Sequence, residues 1–279
     1  MEIRNLENIS SEQLTQTVNE AFADYMVPMQ LTRQQLERRN IAVAVDPRLS
    51  AGVFDGGKLV GVLLHGVGER NGKKALYNAM TGIIPAYRGR RLTSKMYEYL
   101  RPAFKEAGAH TVVLEFIVGN DKAFKAYKSA GFEISRDYIC MKGEIGPLKQ
   151  SKDITVKETD DYDWAAFESF WSWQPSWQNH IPAAKNSKAD NALLCAYSGG
   201  VLAAYAIFTR DTKRVMQFAT AKDLRGRGAM SAVFKYLADK YGKEIAVINI
   251  DERAKDIPGF LEYAGLKKFV SLKEMQMFL

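Results

Sequence analysis

Apolar residues recur at helical spacing from Ser11, with Leu14, Val18, Ala21 and Phe22 on one face, and predict a helix with a single buried side. A strand is expected just before it, at 2–6, and Thr32 is placed to cap a second helix running through Leu36. Two apolar runs, 51–54 and 58–65, flank Asp55-Gly56-Gly57, a hairpin signal. A further strand over 74–84 stops at Pro85, and helical periodicity resumes at Leu92, Met96, Tyr99, Leu100 and Ala103 until Gly108. The nearly unbroken run 111–118 reads as a buried strand, 121–130 as a helix ended by Gly131, and 132–142 as a last strand or hairpin. Gly146-Pro147 marks a boundary, which gives domains 1–147 and 148–279. Beyond it the order repeats: a strand at 154–157, a helix at 164–171, and strands at 193–197 and 201–208 around Ser198-Gly199-Gly200. There follow a strand at 215–220, a helix through Tyr236, a strand at 244–250, a short helix near 259–263 and a final strand. The fold class is mixed α/β in both halves.

At 279 residues the chain suits two domains of ordinary size. Its hydrophobic content of 47% and charged content of 25% are those of a soluble globular protein. The net charge of +7 is spread along the chain rather than gathered in a tail, which argues against nucleic acid and suits an anionic small molecule. Cys140 and Cys195 fit no CxxC spacing, and His65, His110 and His180 have no ligand spacing, so reduced thiols and no metal are expected. The most apolar stretch, 193–208, is broken by its Ser-Gly-Gly turn and is too short to span a bilayer. These features point to a cytoplasmic protein without a membrane partner.

Tyr87-Arg88-Gly89-Arg90-Arg91 opens one amphipathic stretch, and Leu224-Arg225-Gly226-Arg227-Gly228 opens another 137 residues later (225 − 88). Ser129-Ala130-Gly131-Phe132 and Tyr263-Ala264-Gly265-Leu266 form a second pair of markers. Two features repeated in register imply a duplicated domain. A basic glycine turn before a helix is a place to hold phosphate, because the free backbone N–H groups and the helix dipole both favour an anion.

These residues resemble the GCN5-related N-acetyltransferase superfamily, here as a tandem pair covering essentially the whole chain. The family loop, Arg/Gln-x-x-Gly-x-Gly/Ala, is matched by Arg88-Gly89-Arg90-Arg91-Leu92-Thr93, with the leading Arg kept and both later small positions replaced. A second marker reads Leu114-Glu115, Asn120, Tyr127 and Gly131-Phe132. The resemblance implies two acetyltransferase-like domains, each a mostly antiparallel twisted sheet flanked by helices. It implies acetyl-CoA as co-substrate and an amine-bearing acceptor. Ile83, Ile84, Arg88, Gly89, Arg90, Arg91, Leu92, Thr93, Ser94, Asn120 and Phe124 would contact the CoA moiety, with Tyr127 as general acid and Glu115 as general base. Glu115 interrupts an apolar run, so a structural ion or hydrogen-bond pair stands beside the catalytic reading.

In the second copy, Leu261 falls at the position of Tyr127 and Ala254 at that of Asn120, although its loop keeps the central glycine. The first half is therefore expected to be catalytic and the second degenerate. Trp164, Trp171, Trp173 and Trp177 cluster in the second half, where they would either form a seam between the halves or shape an acceptor pocket. The alternatives to acetyl transfer are transfer of a longer acyl or aminoacyl group, and a non-catalytic acyl-CoA-binding module. A monomer or a homodimer is expected.

Overall fold

The computed structural model describes residues 1–25, 29–149 and 151–279. Two compact units are present: Met1–Arg136 with Lys273–Leu279, and Asp137–Leu272. The division falls inside a strand, between Arg136 and Asp137, rather than at Gly146-Pro147, and the stretch 273–279 returns to the first unit.

In chain order the first unit contains β1 (Glu2–Asn5), α1 (Ser11–Ala21), α2 (Arg33–Ala42), β2 (Ala51–Asp55), β3 (Lys58–Arg70), β4 (Lys73–Ile83), α3 (Leu92–Glu106), β5 (Thr111–Ile117), α4 (Asp121–Ala130) and the start of β6 (Glu133–Glu144). Local chemistry sets the helix starts. The Ser10 hydroxyl accepts from the Gln13 N–H at 3.1 Å, and Thr32 and Gln35 form a reciprocal capping box. The hairpin between β2 and β3 closes at Asp55 and Lys58, as the Asp-Gly-Gly signal predicts.

Helices cover both faces of this sheet, so its strands are apolar on both sides. Along β3, Val60 and Leu63 pack with Met96, Leu100 and Phe104, whereas Leu59, Val62 and Leu64 pack with Val18 and Leu36. The buried face of α3 differs from the expected one. Tyr97 and Phe104 point into the core and Tyr99 is exposed, because the stripe runs through 92, 96, 100 and 104.

The second unit contains the remainder of β6, then β7 (Ile154–Thr159), α5 (Trp164–Phe170), α6 (Ile181–Asn186), β8 (Asn191–Ser198), β9 (Val201–Thr209), β10 (Arg214–Thr220), α7 (Ala229–Tyr241), β11 (Glu244–Asp251), α8 (Asp256–Tyr263) and the beginning of β12 (Leu266–Phe278). Its strand order runs β12, β6, β11, β10, β9, β8, β7. The sequence reading stops α7 at Tyr236 and does not foresee α6. Packing of Val233, Phe234 and Leu237 against Ala204, Ala206 and Phe208 carries α7 on toward Gly242.

The end of β12 completes the first unit beside β5. Met275 and Met277 enter its core at 0% and 2% exposure, each worth about 1.5–3 kcal/mol of transfer free energy. Between them Glu274 points the other way. Its carboxylate accepts from Arg70 at 2.7 Å, from Arg136 at 2.6 and 3.1 Å, and from the Ser135 hydroxyl at 2.7 Å. Burial alone would raise its pKa, but the hydrogen bonds and charges of Arg136 and Arg70 outweigh that and bring it down to about 2. Stability from this group is fully present above the ordinary value of 4.5 and is lost as pH falls toward 2. Replacing Glu274 with Gln leaves two arginines without their counter-charge and should cost about 3–5 kcal/mol in a urea titration at pH 7.

His65 sits at 0% exposure against the rings of Tyr97 and Phe104, with centroids 5.6 and 4.9 Å away. Neither ring nitrogen makes a hydrogen bond of ordinary geometry. Desolvation pulls its pKa down to about 3, with the Leu49 carbonyl opposing weakly. The unfolded chain takes up a proton near pH 6.5 that the folded chain refuses, so folding loses about 1.4 kcal/mol per pH unit below 6.5 on this account. Between pH 6.5 and 4.5, Glu274 is not yet titrating. Denaturant midpoints in that window should fall for the wild type and flatten for His65→Leu.

Candidate active site

The site begins where a ladder stops. Strands β4 and β5 pair in parallel only through Ala75, Leu76 and Tyr77 with Thr111, Val112 and Val113, although both continue for several residues. At that point Ala79 is an extra residue in the pairing of β4 with β3, since Leu64 opposes Met80 and His65 opposes Asn78. The second unit repeats the device. Strands β10 and β11 pair only at Arg214 and Val215, and Met216 is the extra residue against β9. Ala79 and Met216 are 137 residues apart (216 − 79), the same offset as Arg88 and Arg225.

Each opened wedge leads into a basic loop built in the same way. Arg88 donates its Nε to the Ile83 carbonyl at 3.0 Å and its Nη2 to the Ala21 carbonyl at 2.8 Å, and forks onto Asp24 at 2.7 Å. Arg225 reaches the Thr220 carbonyl at 3.5 Å, the Phe170 carbonyl at 3.0 Å and the Ser172 hydroxyl at 2.9 Å. These guanidinium groups staple the loop to the end of a preceding helix. Arg88 thus shapes the loop, which leaves the backbone amides, Arg90 and Arg91 as the groups that could meet an anion.

After the arginine, both loops turn through two left-handed residues, Gly89 (φ 78°) and Arg91 (φ 56°) in one, Gly226 (φ 75°) and Gly228 (φ 85°) in the other. The helices that follow, α3 and α7, have no side-chain cap. Their first N–H groups, from Leu92, Thr93 and Ser94 in α3, have no partner within the helix. Side chains of Ile84 and Leu92 are in the core, so those residues can offer only backbone. Arg90 lies over the Tyr87 ring at 5.1 Å and donates to the Ala86 carbonyl at 3.2 Å.

The chemistry-bearing side chains of the first unit gather at the end of the ladder. Tyr127, on α4, is 8% exposed and packs on Phe116 and Phe132. Burial pushes its phenol up to about 12, with the neighbouring polar side chains of Thr81 and Asn78 on β4 opposing the rise. Asn78 also donates to the Tyr97 hydroxyl at 2.7 Å and to Thr81 at 2.8 Å. Glu115 accepts a very short hydrogen bond from the Tyr77 hydroxyl. Asn120 caps α4, its Oδ1 accepting from the Ala123 N–H at 3.1 Å, and its amide lies 3.5 Å from the Tyr25 hydroxyl. Phe124 stacks on Phe116 at 5.7 Å. Ser94 Oγ lies 3.4 Å from Ser129 Oγ. Asn78, Thr81, Tyr77, Tyr97 and Tyr25 are absent from the sequence reading. Their one signal is polarity inside an apolar strand just before the basic loop, seen in Asn78 and Thr81.

The second unit holds an open cleft of about 510 Å³ in the corresponding place, lined by Trp171, Trp173, Met216, Phe218, Gly226, Gly228 and Phe260 among others. Two of the four tryptophans therefore face a cleft. Leu261 lies in the core at 0% exposure, so no phenol stands where Tyr127 does in the first unit. Among the described residues no His, Cys, Asp and Glu cluster could hold a metal, and no helix is long and apolar enough to cross a membrane.

Residues 6–132 match the acetyltransferase (GNAT) family. No curated protein sequence matches the chain. In fold it is similar to a GCN5-related N-acetyltransferase from Sphaerobacter thermophilus (TM-score 0.73, 14% identity, 99% of this chain and 95% of that one). A tandem GNAT protein from the clavulanic acid biosynthesis pathway gives TM-score 0.73 at 11% identity over 99% and 98% of the two chains. A GCN5-related N-acetyltransferase from Anabaena variabilis gives TM-score 0.62 at 12% identity over 99% and 72%. The match over residues 6–132 is to the acetyltransferase (GNAT) family, and over its whole length the chain has the fold of these tandem N-acetyltransferase structures.

A left-handed conformation strains any residue with a Cβ, by about 1 kcal/mol or more. Gly228→Ala meets nothing closer than 3.9 Å, so its cost is conformational alone. Thermal unfolding should show Gly228→Ala destabilised by about 1 kcal/mol, whereas Arg91→Gly should show no comparable loss.

Proposed function

We propose that the first unit transfers an acetyl group from acetyl-CoA to an acceptor amine, with Tyr127 as general acid and Glu115 as general base. The observation that carries this reading is the position of Tyr127, whose phenol reaches β4 beside Asn78 and Thr81 where the β4–β5 ladder has ended. The donor supplies an activated thioester carbonyl, and the leaving thiolate needs a proton. A phenol pushed up to about 12 stays protonated across the working range and can give that proton. Glu115, which accepts from the Tyr77 hydroxyl, would take a proton from the amine, directly or through water. The amides of Leu92, Thr93 and Ser94 would receive the diphosphate, with Gly89 to Arg91 giving the loop its turn and charge. Asn120 and Phe124 would flank the CoA arm, and the edge of β4 near Ile83 and Ile84 would run beside it. Buried free thiols at Cys140 and Cys195 are in keeping with a reducing, cytoplasmic setting.

Tyr127→Phe should lower kcat by roughly 10²–10⁴-fold while leaving acetyl-CoA affinity within a few-fold. Steady-state rates with a panel of amines, paired with calorimetric titration of acetyl-CoA, provide the check. A wild type that binds acetyl-CoA and acetylates none of the amines would favour a binding module. Preference for a longer thioester would replace acetyl by another acyl group.

A further inference from the structure

We infer that the acceptor of the first unit is a small amine that also carries a carboxylate, and that Arg39 on α2 selects it. The inference rests on the acyl-transfer reading of that unit and names the acceptor class for the same site.

Alternation along the strands puts Tyr77 and Glu115 on one face of the sheet. Leu76 on β4 and Leu114 and Phe116 on β5 belong to the core beneath α3, so Tyr77 and Glu115 lie on the opposite face, which α1 and α2 cover. Gly66 on β3, directly across from Tyr77, lets the end of α2 come down onto this face. A Cβ at Gly66 would stand 2.0 Å from the Val43 carbonyl oxygen. Val43 in turn donates its N–H to the Arg39 carbonyl at 3.3 Å. Arg39 is therefore one helical turn from the contact beside Tyr77. It also stands three residues after Leu36, the one buried side chain of α2, and so on the side of the helix turned toward the sheet.

The Arg39 charge has no counterpart. Among the described residues it has no acidic partner, and its Nη1 donates to the Met29 Sδ at 3.3 Å, a weak acceptor. Other cations of this region are engaged: Arg33 lies 3.7 Å from Glu37, and Arg88 forks onto Asp24 at 2.7 Å. Arg39 is open to solvent, yet enough protein surrounds it that desolvation draws its pKa below the usual arginine value, with Tyr77 opposing. A cation in the last turn of a helix suits the dipole. A residue on the outer side of α2 would serve that purpose equally, so the dipole does not account for a guanidinium set beside Met29 and Tyr77.

A guanidinium fork matches a carboxylate with two parallel N–H donors. A molecule with an amine at one end and a carboxylate at the other meets Glu115 and Arg39 with the opposite charge at each end. A diamine brings a second cation to Arg39, and a plain alkylamine leaves the guanidinium unmatched. A phosphate dianion would bring two charges to a single guanidinium.

The test uses the full chain, acetyl-CoA and ω-amino acids of graded length, each beside the alkylamine and the diamine of the same length. Thiol release gives the rates, and calorimetry gives the binding of each amine. We expect the wild type to favour the amino acids in kcat/KM by roughly 10–100-fold, the effect of one hydrogen-bonded charge. Arg39→Gln should lose that preference through KM, with kcat within about threefold. Arg39→Lys should keep part of it, and Arg39→Glu should turn it toward the diamines. Because Arg39 is exposed, thermal unfolding should find all three variants folded. Equal rates with the alkylamines, or a preference that survives Arg39→Glu, would overturn the inference and leave the acyl-transfer reading. Amino acids that bind in an Arg39-dependent way and are never acetylated would support the carboxylate subsite and overturn the reading of the first unit. Absence of both turnover and amine binding would overturn both.

Discussion

Pairing between β4 and β5 stops after three residues, and the same arrest occurs between β10 and β11. Two strands of one sheet that continue without pairing leave backbone donors and acceptors unspent at the heart of a domain, where such groups are costly unless something pairs with them. An extra residue at the point of arrest, Ala79 or Met216, turns the strand away from its neighbour and steers it toward the loop. The basic loop, the uncapped helix that follows it and the phenol or leucine on the next helix are all positioned by this opening. For the acyl transfer proposed above, only a few side chains would then be needed, because the opening would already offer an edge and a loop to a long, amide-bearing arm with a diphosphate.

The two units show how a duplicated scaffold keeps its mechanics while its chemistry drifts. Arg88 and Arg225 hold the same two kinds of backbone carbonyl, one five residues back and one at the end of the preceding helix region. That stapling is a folding function, and both copies retain it. What differs is local. Arg91 occupies a conformation that Gly228 adopts without strain, and Leu261 fills with hydrocarbon the position where Tyr127 carries a hydroxyl. One copy keeps the phenol of Tyr127 beside a strained loop, and the other keeps the relaxed loop without a phenol.

Periodicity and punctuation were legible in the sequence wherever local chemistry decides. The cap at Thr32, the Asp-Gly-Gly hairpin and the helix stop at Gly131 all lie where the residue pattern places them, whereas the caps Ser10 and Asn120 were not read from it. The loops and the aligned loss at Leu261 were visible for the same reason. Long-range decisions were not. Nothing local in Asn78 or Thr81 says that they will meet Tyr127, and a free guanidinium cannot be told from one that staples a loop until the carbonyls of Ala21 and Ile83 arrive beside it. The division inside β6 and the return of 273–279 depend on partners more than a hundred residues away, such as Arg70 for Glu274, and no window of sequence contains both.

That return sets the order in which the chain can mature. A ribosome delivers the first unit's helices and most of its sheet early, yet Met275 and Met277 belong to its core and come 139 residues or more after Arg136 (275 − 136). At roughly 5–20 residues per second the nascent unit waits on the order of ten seconds with an unfilled core and an open sheet edge beside β5. By the end of that interval the second unit has all of its own residues in hand, from Asp137 to Leu272. The first unit emerges first but is completed after the second, so a stop codon just ahead of Lys273 would be expressed as the loss of the unit encoded before Asp137.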